Sequence, residues 1–421
     1  MQRNFPQPLL AVVRQHTDEA AHLRTVRSVL VAAPHVKLHH LRRLDDRIAA
    51  HLDGLVVAGE CGSQLCDAAL ESPGTGEMFC AAIRALDERK DEGLDKVLAI
   101  AAALPETLTG LVSALGWVSA PGLKGIVSGL LTSSDPFRQR IGIAACALHR
   151  VDPGPPLVSL VASTEPALRA RAMRCAGELG RVDLLPLLVS ALQDKDPECH
   201  FRAAQAALLL GDRRTALAAL RDVALQPGPF RLQALALALF AAETTFAYEL
   251  LKQVASQRED VRLLIRAVGL AGDTARIPWL VGLMSDDKLA RLAGEAFSFI
   301  TGADLAWLDL ERKPPENVEP GPSDNPEDED VSMDEDDGLP WPDQARVQAW
   351  RAANSQRFQP GIRYFIGAPP SWEHCLQVLK DGYQRQRVAA AHYLCLLRPG
   401  TPLFNCAAPA WRQERLLERM S

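Results

Sequence analysis

Arg140, Arg171, Arg202, Arg231, Arg262 and Arg291 follow one another at intervals of 31, 31, 29, 31 and 29 residues. A chain with a single core has no reason to return the same side chain at a fixed interval, so the period means that one short structural unit is used repeatedly. At 421 residues the chain is also roughly two to three times the size of an ordinary core, which leaves several domains or one long array. The period selects the array.

Within each period the same parts recur. Ser134-Asp135-Pro136, Thr164-Glu165-Pro166 and Lys195-Asp196-Pro197 each set an acidic residue before a proline, the order needed for an N-cap followed by the first helical position. From these starts Ile141, Ala144, Ala145 and Leu148, and likewise Ala203, Ala206, Ala207 and Leu210, keep the i, i+3, i+4, i+7 spacing of a helix with one apolar face. The segment before each start, such as Leu184 to Leu192, is shorter and apolar all round, and is expected to be the more buried helix of a pair. Such a pair cannot bury its apolar face alone, whereas stacking pairs gives a continuous core. Hydrophobic residues make up 48% of the chain and aromatics only 5%, which fits Ala- and Leu-rich helices lying close together. The expected fold class is therefore all-α, an α-solenoid of stacked antiparallel helix pairs. Its expected divisions are an N-terminal helical cap (1–43), irregular helical repeats (44–120), regular repeats (121–302), an acidic Pro-rich disordered linker (303–343) and a C-terminal helical module (344–421).

The Asp-Pro turns, the arginine that follows them and the Ala-rich second helix resemble HEAT repeats, in particular the short type of about thirty residues found in the bilin lyase-like branch. That resemblance covers 121–302 well and 44–120 loosely, and it implies no chromophore. Two further phrases stand out. Leu44-Asp45-Asp46-Arg47-Ile48-Ala49-Ala50-His51-Leu52-Asp53-Gly54-Leu55 lies near the start, and Asp381-Gly382-Tyr383-Gln384-Arg385-Gln386-Arg387-Val388-Ala389-Ala390-Ala391, with Arg398-Pro399-Gly400-Thr401-Pro402-Leu403-Phe404-Asn405, lies near the end. They resemble an uncharacterised bacterial HEAT-repeat family often encoded near type VI secretion genes. The resemblance implies that context and brings no catalytic residues with it.

After Gly302 the composition changes. Glu316 to Asp343 contains twelve Asp or Glu, no Lys or Arg, and five prolines, which cannot bury enough apolar surface to offset the entropy of ordering. Setting its −12 against the net charge of −6 leaves about +6 for the rest of the chain. Two readings of this run stay open: a solvated spacer, or a flap that lies against the basic face of the solenoid until a partner arrives. Trp341, between Pro340 and Pro342, is a stiff aromatic docking hook that suits the second. Beyond it, Gly361 to Gly367 reads as an ambiguous extended segment. Ser371 to Lys380 and Tyr383 to Leu397 read as another helix pair, and Pro409 to Met420 as a helix closing the far end of the array.

Arg140, Arg171, Arg202, Arg262 and Arg291 recur once per repeat, and also admit two readings. They are either a ladder of charge-assisted bonds between repeats or a cationic stripe for an acidic partner. A mildly basic body without clustered lysines or regularly spaced aromatics argues against nucleic acid. His35, His39 and His40 are expected to face solvent, and His149, His200 and His392 to serve packing or interhelical bonds. The nine cysteines are scattered, with Cys146 and Cys175 read as buried thiols, and Cys61 and Cys66 lack the second pair that a zinc site needs. No metal, cofactor or catalytic residue is expected. Neither G-x-S-x-G, a P-loop nor a dinucleotide fingerprint occurs. No run approaches the roughly eighteen apolar residues of a membrane span, and Pro6 and Pro8 interrupt any leader-like start, so the chain is expected in the cytoplasm.

The expected function is that of a non-catalytic protein-binding scaffold. In the context implied by the resemblance, it would be an adaptor or chaperone-like factor for a type VI secretion effector or spike component. Its rivals are an immunity protein that blocks a cognate toxin, and an enzyme or ligand-binding protein with a site in the solenoid groove.

Overall fold

The computed structural model describes residues 8–256, 260–316 and 334–420. Among them the chain forms 22 α-helices joined by short 3-10 turns, with isolated β-bridges and no strand. No single helix among the described residues is long and apolar enough to cross a membrane.

The chain divides into two compact units. The first holds α1 (Leu10–Leu30), α2 (Leu38–Val57), α3 (Glu60–Ala69), α4 (Thr75–Glu88), α5 (Asp91–Ala103) and α6 (Leu108–Trp117). It continues through α7 (Ile126–Thr132), α8 (Pro136–His149), α9 (Pro155–Leu160) and α10 (Pro166–Leu179). Leu41, Ile48, Leu55, Met78, Phe79, Leu86, Leu111 and Leu115 are fully buried in it. The second unit holds α11 (Leu185–Ser190), α12 (Pro197–Leu209), α13 (Thr215–Ala224), α14 (Arg231–Ala241), α15 (Thr244–Ala255) and α16 (Val261–Ala271). To these it adds α17 (Ile277–Leu283), α18 (Ala290–Thr301), α19 (Gln344–Ala353), α20 (Trp372–Asp381) and α21 (Gln384–Leu397).

The helix starts follow from the sequence. Pro136, Pro166 and Pro197 are first helical residues. The Asp135 carboxylate accepts from the Phe137 N–H at 2.9 Å, and that of Asp196 from the Cys199 N–H at 2.9 Å, so each acid satisfies a donor that the first turn leaves without a partner.

The helix ends are closed by a part of the chain that periodicity does not describe. Gly361 to Gly367 forms no strand and instead runs across the C-termini of three helices of the second unit. Arg363 donates to the carbonyls of Phe240 at 2.6 Å and Ala242 at the end of α14, and to Ala271 at 3.3 Å at the end of α16. The Tyr364 N–H then reaches Gly272 O at 2.9 Å, and those of Ile366 and Gly367 reach Phe299 O and Ile300 O at 2.8 and 3.0 Å, at the end of α18. Carbonyls with no partner inside their own helices are thereby paired. The approach is close enough to dictate one residue type: Gly272 sits at φ +70°, and a Cβ there would lie 2.2 Å from Tyr364 O.

The end of the chain departs further from expectation. Helix α22 (Ala410–Met420) does not continue the 344–421 module to the far end of the array. With the residues from Asn405 on, it belongs to the first unit and lies on α2. The physical reason is a buried carboxylate. Asp45 on α2 is fully buried, accepts from Arg27 Nε at 2.5 Å, and accepts from the Ala410 N–H at 2.7 Å, so α22 is capped by a residue from the opposite end of the sequence. Arg27 also donates to the carbonyls of Ala407 and Ala408 at 3.0 and 2.9 Å. Arg412 donates to Gly116 O at 2.9 Å at the end of α6, and Asn405 to Leu148 O at 3.3 Å at the end of α8. Trp411 meets Trp117 edge-on at 4.9 Å.

Two outcomes test this arrangement. Arg363→Met should lower the stability of the second unit by about 2–4 kcal/mol, since it strips several buried carbonyls of a charged donor. Hydrogen exchange should localise the loss to the last turns of α14 and α16. Asp45→Ala leaves Arg27 without its carboxylate, a loss of about 3–5 kcal/mol for a buried pair, and should make Arg412, Arg415 and Arg419 open to trypsin in the folded protein.

Candidate functional site: an acidic segment seated on arginines

The period-marking arginines meet different fates. In the first unit Arg140 stacks over Phe137, with 5.2 Å to the ring centroid. Arg171 joins Arg150 and Arg174 around Glu178, whose oxygens lie 3.3, 3.7 and 2.8 Å from the three guanidinium groups. Burial works to raise the Glu178 carboxyl, but the three cations outweigh it and hold the group well below the usual carboxylate range. In the second unit Arg202 lies over Phe201 and Phe230, themselves stacked at 4.7 Å, and reaches Glu198. Arg231 pairs with Asp260 at 2.8 Å.

Arg262 and Arg291 are brought together. Both stand in the first turns of their helices, α16 and α18, and both hold the stretch from Asp334 to Trp341. Asp336, buried, accepts from Arg262 at 2.6 Å, and its backbone carbonyl accepts from Arg291 at 3.2 Å. Asp334 accepts from Arg291 at 2.5 Å and folds back to accept the Asp336 N–H at 2.9 Å. Glu335 lies between, 2.9 Å from Arg266 and 3.5 Å from Arg262, and its backbone carbonyl accepts from Arg385 of α21 at 3.4 Å. Arg385 is held in turn by Glu295 of α18 at 2.8 Å.

The segment then turns at Gly338 and inserts its apolar residues. Gly338 has φ +75°, and a Cβ there would come within 1.8 Å of His35 Nδ1, so any other residue would be strained and would have to displace that ring. Leu339 and Trp341 are buried. The Trp341 ring lies under two guanidinium groups, Arg291 at 4.7 Å and Arg312 at 5.4 Å. A short antiparallel pairing fixes its backbone: Arg312 N–H to Trp341 O at 2.7 Å, and Asp343 N–H to Leu310 O at 2.8 Å. Asp343 finally caps α19 through the Arg346 N–H at 3.0 Å.

The expectation of disorder over 303–343 is thus corrected for its two ends. Residues 303–316 pack through Ala303, Leu305 and Leu310, and Asp334 to Asp343 is seated because arginines neutralise its acids while Leu339 and Trp341 bury apolar surface. The remaining part of that expectation falls on 317–333, outside the described residues.

Other chemistry-bearing residues serve the fold. His149 and His200 bond the carbonyls of Leu115 and Leu192, each at 2.8 Å, and His392 that of Val388 at 2.7 Å. His39 and His40 are exposed, while His35 is half-buried against Gly338. Burial pushes the thiol of Cys146 up to about 11 and those of Cys66 and Cys175 up to about 12. Among the described residues no group of three His, Cys, Asp or Glu side chains is placed to hold a metal ion.

No local pattern in the sequence assigns Arg266, Arg385 or Glu295 to the seat. Arg266 carried a signal in its position, one helical turn after Arg262 on the same face. Arg385 lay inside the Asp381 to Ala391 phrase without a role.

The seat should respond to charge. Burial favours protonation of Asp334, and the Asp336 N–H and Arg291 overcome that preference, leaving its carboxyl below the ordinary aspartate value. A carboxyl lowered in the seated state stabilises the seat above its ordinary value, and that contribution is lost as the pH falls through the lowered one. Exchange of the Leu339 and Asp343 amides should accordingly stay protected down to the ordinary aspartate range and lose protection below it. Asp334→Asn should cost about tenfold or more in protection at neutral pH, the effect of losing one charged hydrogen bond.

Residues 154–239, which contain Arg171, Arg202 and Arg231, match the family model described as HEAT repeats, and this supports a HEAT-like repeat protein. No curated protein and no solved structure matches the chain.

Proposed function

We propose that the chain is a non-catalytic scaffold whose task is to bind another protein. HEAT repeats generally serve as protein-interaction scaffolds, and 154–239 match them. The observation that carries the reading furthest is the seat itself: side chains from α16, α18 and α21 hold an acidic stretch of polypeptide by its carboxylates, its backbone carbonyls and its tryptophan. A surface that receives one polypeptide segment in this way has the chemistry to receive another.

The finer part of the proposal takes its context from the terminal phrases around Asp45 and Arg385. The client is a secretion effector or spike component, and the chain acts as its adaptor or chaperone-like factor before export. Co-expressing the chain with the effector and spike proteins encoded beside it, then measuring molar mass by light scattering after size-exclusion chromatography, tests this directly. A stable complex of defined stoichiometry with one of them is expected. Elution of every candidate apart from the chain would overturn the assignment.

A further inference from the structure

We propose that Arg262, Arg266, Arg291 and Arg385 form a binding site for an acidic segment of a partner protein with an aromatic residue a few positions after its carboxylates, and that Asp334 to Trp341 fills this site in cis until such a segment displaces it. The inference deepens, and rests on, the reading of the chain as a protein-binding scaffold.

The charges match in number. Four guanidinium groups converge from α16, α18 and α21, and Glu295 offsets one of them through Arg385. The three charges that remain meet the three successive carboxylates of Asp334, Glu335 and Asp336. Like charges gathered on one surface repel, so the cluster favours an acidic occupant.

The site also distinguishes a peptide from a simple anion. Arg291 and Arg385 donate to the backbone carbonyls of Asp336 and Glu335 as well as holding carboxylates. Two arginines lie over the indole seven residues after Asp334. Alternating side-chain and main-chain contacts followed by an aromatic slot describe a polypeptide, whereas a phosphodiester backbone supplies neither the carbonyls nor the spacing.

The occupant is built to leave. The Glu335 side chain is 64% exposed and that of Arg262 36%, so this central pair contributes only about 0–1 kcal/mol, while Asp334 against Arg291 and the buried Asp336 against Arg262 hold the segment more firmly. Covalent attachment holds the segment at an effective concentration on the order of millimolar. A tethered segment whose own affinity for the bare cluster is about 10 µM then weakens an external segment on the order of 100-fold while the seat is filled. A partner that offers more contacts overcomes that factor, and the site opens only for it.

The test uses the full chain and a fluorescein-labelled synthetic peptide with the sequence of Asp334 to Asp343, read by anisotropy. The variant Asp334→Asn/Glu335→Gln/Asp336→Asn should bind the peptide at least tenfold more tightly than the wild type. Adding Arg291→Glu to that variant should abolish the gain, and a single-stranded oligothymidylate at matched charge should compete poorly. Trp341→Ala provides a second way to open the seat, and circular dichroism establishes that each variant is folded. Equal peptide affinity for wild type and both opened variants, indifference to Arg291→Glu, or preferential displacement by the oligonucleotide would each overturn the site. If the chain captures its client yet fails this test, the scaffold reading survives without the site. If it binds the peptide yet captures no client, the site survives without the secretion assignment.

Discussion

A helix ends with four carbonyls that its own backbone does not satisfy, and a stack of short helices multiplies that debt with every repeat. In this chain two segments settle much of it. Residues from Arg363 to Gly367 close the C-termini of α14, α16 and α18 in the second unit, and residues from Asn405 to Arg412 close those of α8 and α6 in the first. Other features follow from this. A left-handed glycine lies where the backbone comes nearest, at Gly272. The first unit is incomplete without the last residues of the chain. The buried Asp45 acts as a joint, because the returning chain starts its own helix there.

The repeated arginine shows how a periodic sequence position acquires unequal roles. Stacked on Phe137 it is a packing residue, and gathered on Glu178 it shares one buried carboxylate with two neighbours. At Arg262 and Arg291 it holds a segment that arrives from outside the repeat. The helix and its turn fix where the guanidinium stands. What it meets is fixed by whichever part of the chain happens to cross that point, and this differs from one repeat to the next.

That distinction also sets what could be read in advance. The Asp-Pro starts at Pro136 and Pro197 and the all-α class are local properties, and each is present as expected, whereas the burial order within a pair is reversed: Ile141 to Ala147 of α8 are all buried, and only Leu188 of the shorter α11 is. The return segment is a long-range property. Arg363 lies in a phrase with no helical or strand period, and its partners are more than ninety residues away. The residues singled out only for resemblance, Asp45, Arg387 and Asn405, prove to be buried or capping residues. Arg387 is fully buried and donates to Leu379 O at 2.7 Å at the end of α20. For the acidic run, composition weighs a segment against water alone and so predicts disorder. It contains no account of the arginines that Asp334 to Asp336 would meet.

Within the second unit the two ends of the repeat helices are closed by different kinds of bond, and the difference decides which end is suited to binding. At the C-terminal ends of α14, α16 and α18 the contacts run to buried backbone carbonyls, where a missing partner leaves the full desolvation penalty and salt has little effect. At the N-terminal ends of α16 and α18 the contacts are ion pairs to side chains that range from the exposed Glu335 to the buried Asp336, and another carboxylate of similar geometry can replace them. The helix dipoles add to the preference, since their positive ends face the acids. Exchange at the first edge would unfold the unit. Exchange at the second costs only the difference between two acidic segments, so a partner can take the place of Asp334 to Trp341 while the helices beneath keep their packing.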